Sequence, residues 1–321
     1  MKKQLQNWQL AKYSLKNCIP VILMYVLESR GSSPGRQGFF MIVNANGAMS
    51  GSLGGGIMEH KFVEMAKAKL SADILNAGLY KQVHDKSAVK NQSGMICSGE
   101  QTIFLYVLVQ QDLPVLIELT SSLEKNENGM LELRPGGIQF SLTVPIVNFF
   151  FEQNDEQNFI YREKTGYKNI LHIVGGGHCA LALSKIMSDM DFCIHIYDDR
   201  PNLHTIQSNN FVHGKHELSS YNELEIETGN NVYVVIMTFG YRTDDLAVRA
   251  LKNNNYRYLG LLGSNKKIEK MMNEYRAEGI DSGWLAGIHS PIGISIKSET
   301  PEEIATSIAA EIIREKNAAA L

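Results

Sequence analysis

Cysteine is scarce in this chain, and its four copies (Cys18, Cys97, Cys179, Cys193) stand far apart with no C-x-x-C pair. That spacing supports neither a disulfide framework nor a zinc knuckle, so no metal site is expected and a reducing, cytoplasmic setting fits best. An excess of one charge is lacking too: 31 Lys and Arg against 34 Asp and Glu leave −3, with no block of like charge. No field is on offer to nucleic acid or to an anionic membrane, and neither is an expected partner. Long apolar runs are also missing. Val232–Met237 and Thr102–Val109 fall far short of the ~20 residues that cross a bilayer. The first residues, MKKQLQNWQLAKYSLKN, are amphipathic and polar, so no export signal is expected. There is no internal repeat and no low-complexity segment. What remains is 321 residues, 44% hydrophobic, enough at roughly 100–200 residues per domain for two cores.

The two halves differ in style. Gln4–Asn17 reads as a helix, Ile19–Leu27 and Phe39–Val43 as strands, and Asn46-Gly47 as a turn into a third strand near Ala48–Ser50. Ile57–Leu70 has helical spacing, Thr102–Val109 reads as a strand, and residues 129–149 alternate as a half-exposed antiparallel sheet would. The first half is therefore α+β. Residues 152–169 are polar and without period, the best linker candidate, and the domains are expected at 1–160 and 161–321. Strand and helix then alternate: Ile170–Val174, Ala180–Met190, Phe192–Tyr197, Val232–Thr238, Asp244–Asn253, Tyr256–Leu262, Asn265–Glu278. Such alternation means α/β, a parallel sheet with helices on both faces. Thr300-Pro-Glu-Glu303 marks the start of a last helix with an N-cap, an early proline and a Glu three residues on.

Gly175-Gly176-Gly177-His178-Cys179-Ala180 follows a strand and opens a helix, the G-x-G-x-x-A form of a dinucleotide fingerprint. The first glycine allows a tight turn, the second lets backbone approach a pyrophosphate, and the small third residue permits helix-on-strand packing. Asp198, 21 residues beyond Gly177 at the end of the next strand, stands where an acid takes ribose hydroxyls. Asp199 and Arg200 follow it, so NAD and NADP both stay open. His178 is either a proton donor or a cover for the turn. Thr238-Phe-Gly240 and Gly263-Ser264 end strands where open α/β sheets place ligands, and Thr243 and Ser264 read as helix caps.

Laid out in order, these segments resemble the XdhC/CoxI family, accessory proteins of xanthine dehydrogenase and related molybdenum hydroxylases. The resemblance rests in the first half on Glu28-Ser-Arg-Gly-Ser-Ser-Pro34, Gly51-Ser-Leu-Gly-Gly-Gly-Ile-Met-Glu59 and Ser93-Gly-Met-Ile-Cys-Ser-Gly99. In the second it rests on Gly175–His178, Asp198-Asp-Arg-Pro201, Tyr258-Leu-Gly-Leu-Leu-Gly-Ser264, His289-Ser-Pro291-Ile-Gly293 and Thr300–Ile304. It implies a C-terminal Rossmann-like domain joined to a smaller N-terminal domain. It also implies a protein that binds molybdenum cofactor and hands it to an apo-hydroxylase such as xanthine dehydrogenase, with Pro291 and Gly293 among the binding motifs. A homodimer is a further expectation. The chain departs from the family's pattern at Gly56, where the family has Cys, at Ser98, where it has Gly, and at Phe239, where it has His.

The remaining candidates lie in the first half. Gly54, Gly55 and Gly56 precede a helix and could cradle a phosphate with backbone amides, with Glu59 in the first turn; a plain tight turn is the other reading. Ser32, Ser33 and Arg36 form a polar loop suited to phosphate or simply solvated. Cys97 lies in a Ser-Gly-rich loop that leaves a thiol accessible, while Cys18 and Cys193 read as sitting in apolar surroundings. Two main functions follow: a cofactor chaperone holding a phosphorylated pterin, with a dinucleotide in the Rossmann half, or an NAD(P)-dependent oxidoreductase. No Tyr-x-x-x-Lys pair supports the second. A nucleotide-sensing regulator without turnover is a third.

Overall fold

The computed structural model describes residues 1–72, 74, 76–83 and 99–318. Contacts divide the chain into two compact units, Met1–Gly166 and Tyr167–Leu321.

The first unit runs α1 (Lys2–Lys16), β1 (Val21–Gly31), β2 (Phe40–Asn44), β3 (Met49–Gly51), α2 (Gly56–Ser71), β4 (Gly78–Val83), β5 (Gly99–Leu108), α3 (Leu113–Glu124), β6 (Gly129–Arg134), β7 (Gly137–Ser141), β8 (Phe149–Asp155) and β9 (Asn158–Thr165). Its strands form two antiparallel sheets, ordered β3-β2-β1-β5-β4 and β7-β6-β9-β8. The β1–β2–β3 meander is the one that Asn46-Gly47 predicts, and Phe62 and Ala66 of α2 pack on Ile22, Met24 and Val43. The linker expected at 152–169 is corrected: those residues are largely the β8–β9 hairpin. Their period is hidden because β9 turns Glu163 and Thr165 inward beside Phe159 and Tyr161. Glu163 is only 1% exposed, and the Tyr25 and Tyr161 hydroxyls donate to its Oε2 at 2.6 and 2.7 Å. Cys18 is also corrected: it is exposed at the turn after α1, and Cys193 is half-buried.

The second unit runs β10 (Asn169–Val174), α4 (His178–Asp189), β11 (Phe192–Asp198), α5 (His204–Gln207), β12 (Gly214–Glu217), β13 (Gly229–Ile236), α6 (Tyr241–Ala250), β14 (Tyr256–Leu261), α7 (Asn265–Ala277), α8 (Ser282–Ala286), β15 (Ile288–His289) and α9 (Pro301–Asn317). All pairings are parallel, in the order β12-β11-β10-β13-β14-β15. That is the 3-2-1-4-5-6 order of a doubly wound Rossmann sheet. Leu183 and Met187 of α4 and Ile308 and Ile312 of α9 cover one face. Val248 of α6 and Met271 of α7 cover the other. The chain therefore reverses direction across the sheet between β10 and β13, the place where such sheets open a crevice at their carboxyl ends. Thr300 caps α9 as expected, its hydroxyl accepting from the Glu303 N–H while the Glu303 carboxylate accepts from the Thr300 N–H.

Candidate functional site

Because β11, β10, β13 and β14 are adjacent and parallel, the sheet gathers three predicted segments at its carboxyl edge: Gly175–His178, Asp198–Arg200 and Thr238–Gly240. Gly263–Ser264 follows β14 on the same edge. Gly175 has φ +110°, and a Cβ there would lie 2.3 Å from the Met237 carbonyl oxygen, so only glycine fits between β10 and β13. A Cβ on Gly176 would meet Ile206 at 2.3 Å. Gly177 differs: nothing lies within 4 Å of where its Cβ would be. It is the N-cap of α4, no side chain caps the helix, and no acidic residue stands in the first turn. The N–H groups at this helix head are left to a ligand or to water, and the dipole favours an anion there. The glycine pattern and the open space fit a pyrophosphate. His178 is exposed in this first turn.

Asp198 is 1% exposed and its carboxylate is engaged from every side. Oδ2 accepts from the Gly176 N–H at 2.6 Å and Arg200 Nη2 at 2.7 Å, while Oδ1 accepts from Arg200 N at 2.9 Å and Nε at 2.8 Å. Burial opposes the charge, but these donors outweigh it and hold the carboxyl below the usual Asp range. Four donors fill the acceptor capacity of a carboxylate, so Asp198 braces the glycine loop and has no acceptor left for a ribose, while Asp199 beside it is half-buried. Arg200 carries on to Phe239, its guanidinium carbon 5.7 Å from the ring centroid, and Phe239 is 86% exposed.

Sequence reasoning missed a buried pair under this edge. Asp244 is fully buried; Oδ1 accepts from the Thr238 N–H at 3.0 Å and hydroxyl at 2.7 Å, and Oδ2 takes the Lys267 ammonium. Lys267 Nζ also donates to the Leu262 carbonyl at 2.9 Å. The pair ties the loop after β13 to the loop after β14. Helix α6 starts earlier than the sequence suggests, with Gly240 as N-cap, and the Thr243 hydroxyl accepts back from the Gly240 N–H at 3.2 Å. Ser264 does cap α7, 3.3 Å from the Lys267 N–H. The motif around Pro291 and Gly293 is bound to α9: the Gly293 N–H and the Tyr258 hydroxyl both donate to Glu311 Oε2 at 2.7 Å, and His289 stacks on Tyr258 at 4.5 Å.

Away from that edge, His172 Nδ1 lies 2.9 Å from the Tyr197 hydroxyl and His195 Nδ1 3.1 Å from His216 Nε2, on three adjacent strands. Burial pushes the His172 imidazole down to about 4, with His195 and His216 adding to the shift. Among the described residues no three such side chains gather to hold a metal ion.

In the first unit the Gly54–Gly56 run does not present a free cradle. Glu59 Oε2 accepts from the Ser52 hydroxyl at 2.7 Å, the Leu53 N–H at 2.8 Å and the Gly55 N–H at 3.0 Å. Partial burial raises its pKa, but these donors win and hold the carboxyl below its ordinary range. Buried Ser33 donates to the Gly35 carbonyl at 2.6 Å, and Arg36 donates to the Gly31 carbonyl at 3.0 Å, so both secure the β1–β2 loop. Cys97 and Ser98 lie outside the described residues. No helix among the described residues is long and apolar enough to cross a membrane.

Comparison with known proteins bears on both units. The sequence model of the XdhC Rossmann domain matches residues 171–312, and that of the XdhC and CoxI family matches residues 15–74. A protein of Bacillus subtilis (strain 168), named as a probable xanthine dehydrogenase subunit, is 22% identical over 94% of this chain and 94% of its own length. The Uncharacterized protein YqeB of Escherichia coli (strain K12) is 26% identical over 96% of this chain, which spans 45% of that protein. The crystal structure of a xanthine dehydrogenase from Bacillus halodurans superposes with a TM-score of 0.69 at 20% identity, covering 97% of this chain and 96% of the other. That likeness establishes a shared fold.

Proposed function

The chain belongs to the XdhC/CoxI family, and from that premise we propose that it is an accessory protein which binds molybdenum cofactor as cargo and delivers it to a xanthine dehydrogenase-type hydroxylase. The observation that carries this reading is the family match in both units. The Bacillus subtilis relative, whose name places it in a xanthine dehydrogenase system, supports the choice of recipient. We further propose that the second unit binds NAD or NADP. The uncapped head of α4 at Gly177 takes the pyrophosphate on backbone N–H groups, and Gly176, fixed by Asp198, holds the loop in place for it. A nicotinamide dinucleotide, when bound, would supply hydride chemistry. The chain's own part is to bind and orient it.

The test of delivery is reconstitution. The chain, loaded with molybdenum cofactor, is mixed with a cofactor-free hydroxylase, and recovery of hydroxylase activity is followed in time. Recovery faster than with free cofactor supports delivery, and equal rates overturn it. Calorimetry with NAD+ and NADP+ tests the second unit separately.

A further inference from the structure

We propose that Phe239 and Arg200 form a stacking clamp for the adenine of the dinucleotide. The clamp rests on the nucleotide reading above. Phe239 stands in the loop after β13 and is 86% exposed, so the ring meets water on most of its surface. An isolated exposed aromatic is common. This one is held, and that sets it apart. The preceding Thr238 is pinned by its N–H and hydroxyl to buried Asp244, which Lys267 pairs from α7. Its open ring lies beneath a guanidinium that Asp198 fixes through two side-chain hydrogen bonds.

Position selects the ligand. With the pyrophosphate at the head of α4, the adenosine half extends toward the end of the neighbouring strand, β11, the side that supplies the ribose acid. Arg200 is two residues past the end of β11, and its guanidinium lies 5.7 Å from the Phe239 centroid. The ring therefore belongs to the adenosine half. A flat purine finds there an apolar face and a cation, the pair that binds bases through their π-surface.

The test uses the full chain with NAD+ (or NADP+, whichever binds tighter) and ADP as probes. Phe239→Ala is expected to bind both about tenfold more weakly, because stacking on one aromatic is worth about that factor. Phe239→Trp is expected to keep affinity within about twofold, and its new indole emission to be quenched by ADP. Wild type that binds the dinucleotide but not ADP overturns the clamp, as does Phe239→Ala that binds ADP like wild type. Wild type that binds neither probe overturns the nucleotide reading itself.

Discussion

Two glycine runs in this molecule look alike in sequence and differ in what they do with their amides. Gly54–Gly56 opens α2 and Gly175–Gly177 opens α4, and each makes a close backbone approach: a Cβ on Gly54 would lie 2.2 Å from Gly35 N, and one on Gly175 2.3 Å from Met237 O. At α2 the chain supplies its own anion, since Glu59 collects the Leu53 and Gly55 N–H groups. At α4 the first turn carries no acid and the cap carries no side chain. Of the N–H groups in the second run, Asp198 takes that of Gly176, one residue before the N-cap, while that of Gly177, the counterpart of Gly55, meets no acid of the first turn. A glycine-rich helix start thus has room for an external anion only where the fold does not supply one of its own.

The sharpest break of this comparison is at Gly177. Its missing Cβ faces open space and its φ of −72° suits any residue. Gly177→Val should lower dinucleotide affinity at least 100-fold while the melting temperature stays within about 2 °C, since the branched side chain fills only ligand space. Equal binding by calorimetry would remove the fingerprint. Next in size is Gly175→Ala. With φ at +110° and a carbonyl oxygen in the way, it should lose about 3 kcal/mol in denaturant unfolding. A loss under about 1 kcal/mol would mean the β10–β13 approach is looser than described.

How much of this was legible in the sequence depends on how far apart the partners are. The strand–glycine–helix unit and the capping box at Thr300 are local patterns, and both stand as read. Helix α3 could have been found, because Leu116, Leu119 and Leu123 keep helical spacing after Pro114. The β9 strand could not. Its inward Glu163 looks like a solvated charge until Tyr25 arrives from 138 residues away. Asp198 shows the same limit at a site. Its distance from Gly177 suits a ribose acid, and only the fold reveals that Gly176 and Arg200 already use it. Asp244 and Lys267 are 23 residues apart on different helices, and no local signal joins them.

Acid should separate the two units. Burial holds His172 down to about 4, and His195 is lowered as well, again chiefly by burial. Their unfolded imidazoles protonate near 6.5, so the unfolded chain gains protons first. The stability of the neutral, buried form is complete above pH 6.5 and is lost as pH falls toward 4. For His172 alone this is about 2 kcal/mol between pH 7 and 5. Glu59 acts in the same direction but at lower pH. Its carboxyl is held below the usual range, so the stability it lends is full above the ordinary carboxylate range and is lost as pH falls from there through the lowered value. The chain has two Trp, Trp8 in the first unit and Trp284 in the second, so Trp8→Phe leaves an indole that reports the second unit alone. Denaturation followed by Trp284 should weaken from pH 7 to 5, and His172→Gln should remove most of the change. An unchanged slope in that variant would place the proton uptake elsewhere.

The smallest effect tests whether the first glycine run is a filled version of the second. Glu59→Ala leaves the Leu53 and Gly55 N–H groups without their acceptor. The site is half-exposed and water can replace the carboxylate, so the loss should be only about 1 kcal/mol, as for other helix-head acceptors. The informative consequence is a gain. With the internal anion gone, the head of α2 resembles that of α4, and inorganic phosphate should stabilise the first unit of Glu59→Ala by about 1.4 kcal/mol at ten times its Kd. Trp284→Phe leaves Trp8, 1% exposed, to report that unit. Phosphate should then raise the midpoint in the Glu59→Ala background and leave the Glu59 protein nearly unmoved. Glu59→Gln, which keeps one acceptor oxygen, should fall between them. If phosphate moves both midpoints equally, Glu59 is not what closes the site, and the two glycine runs are more alike than their hydrogen bonds indicate.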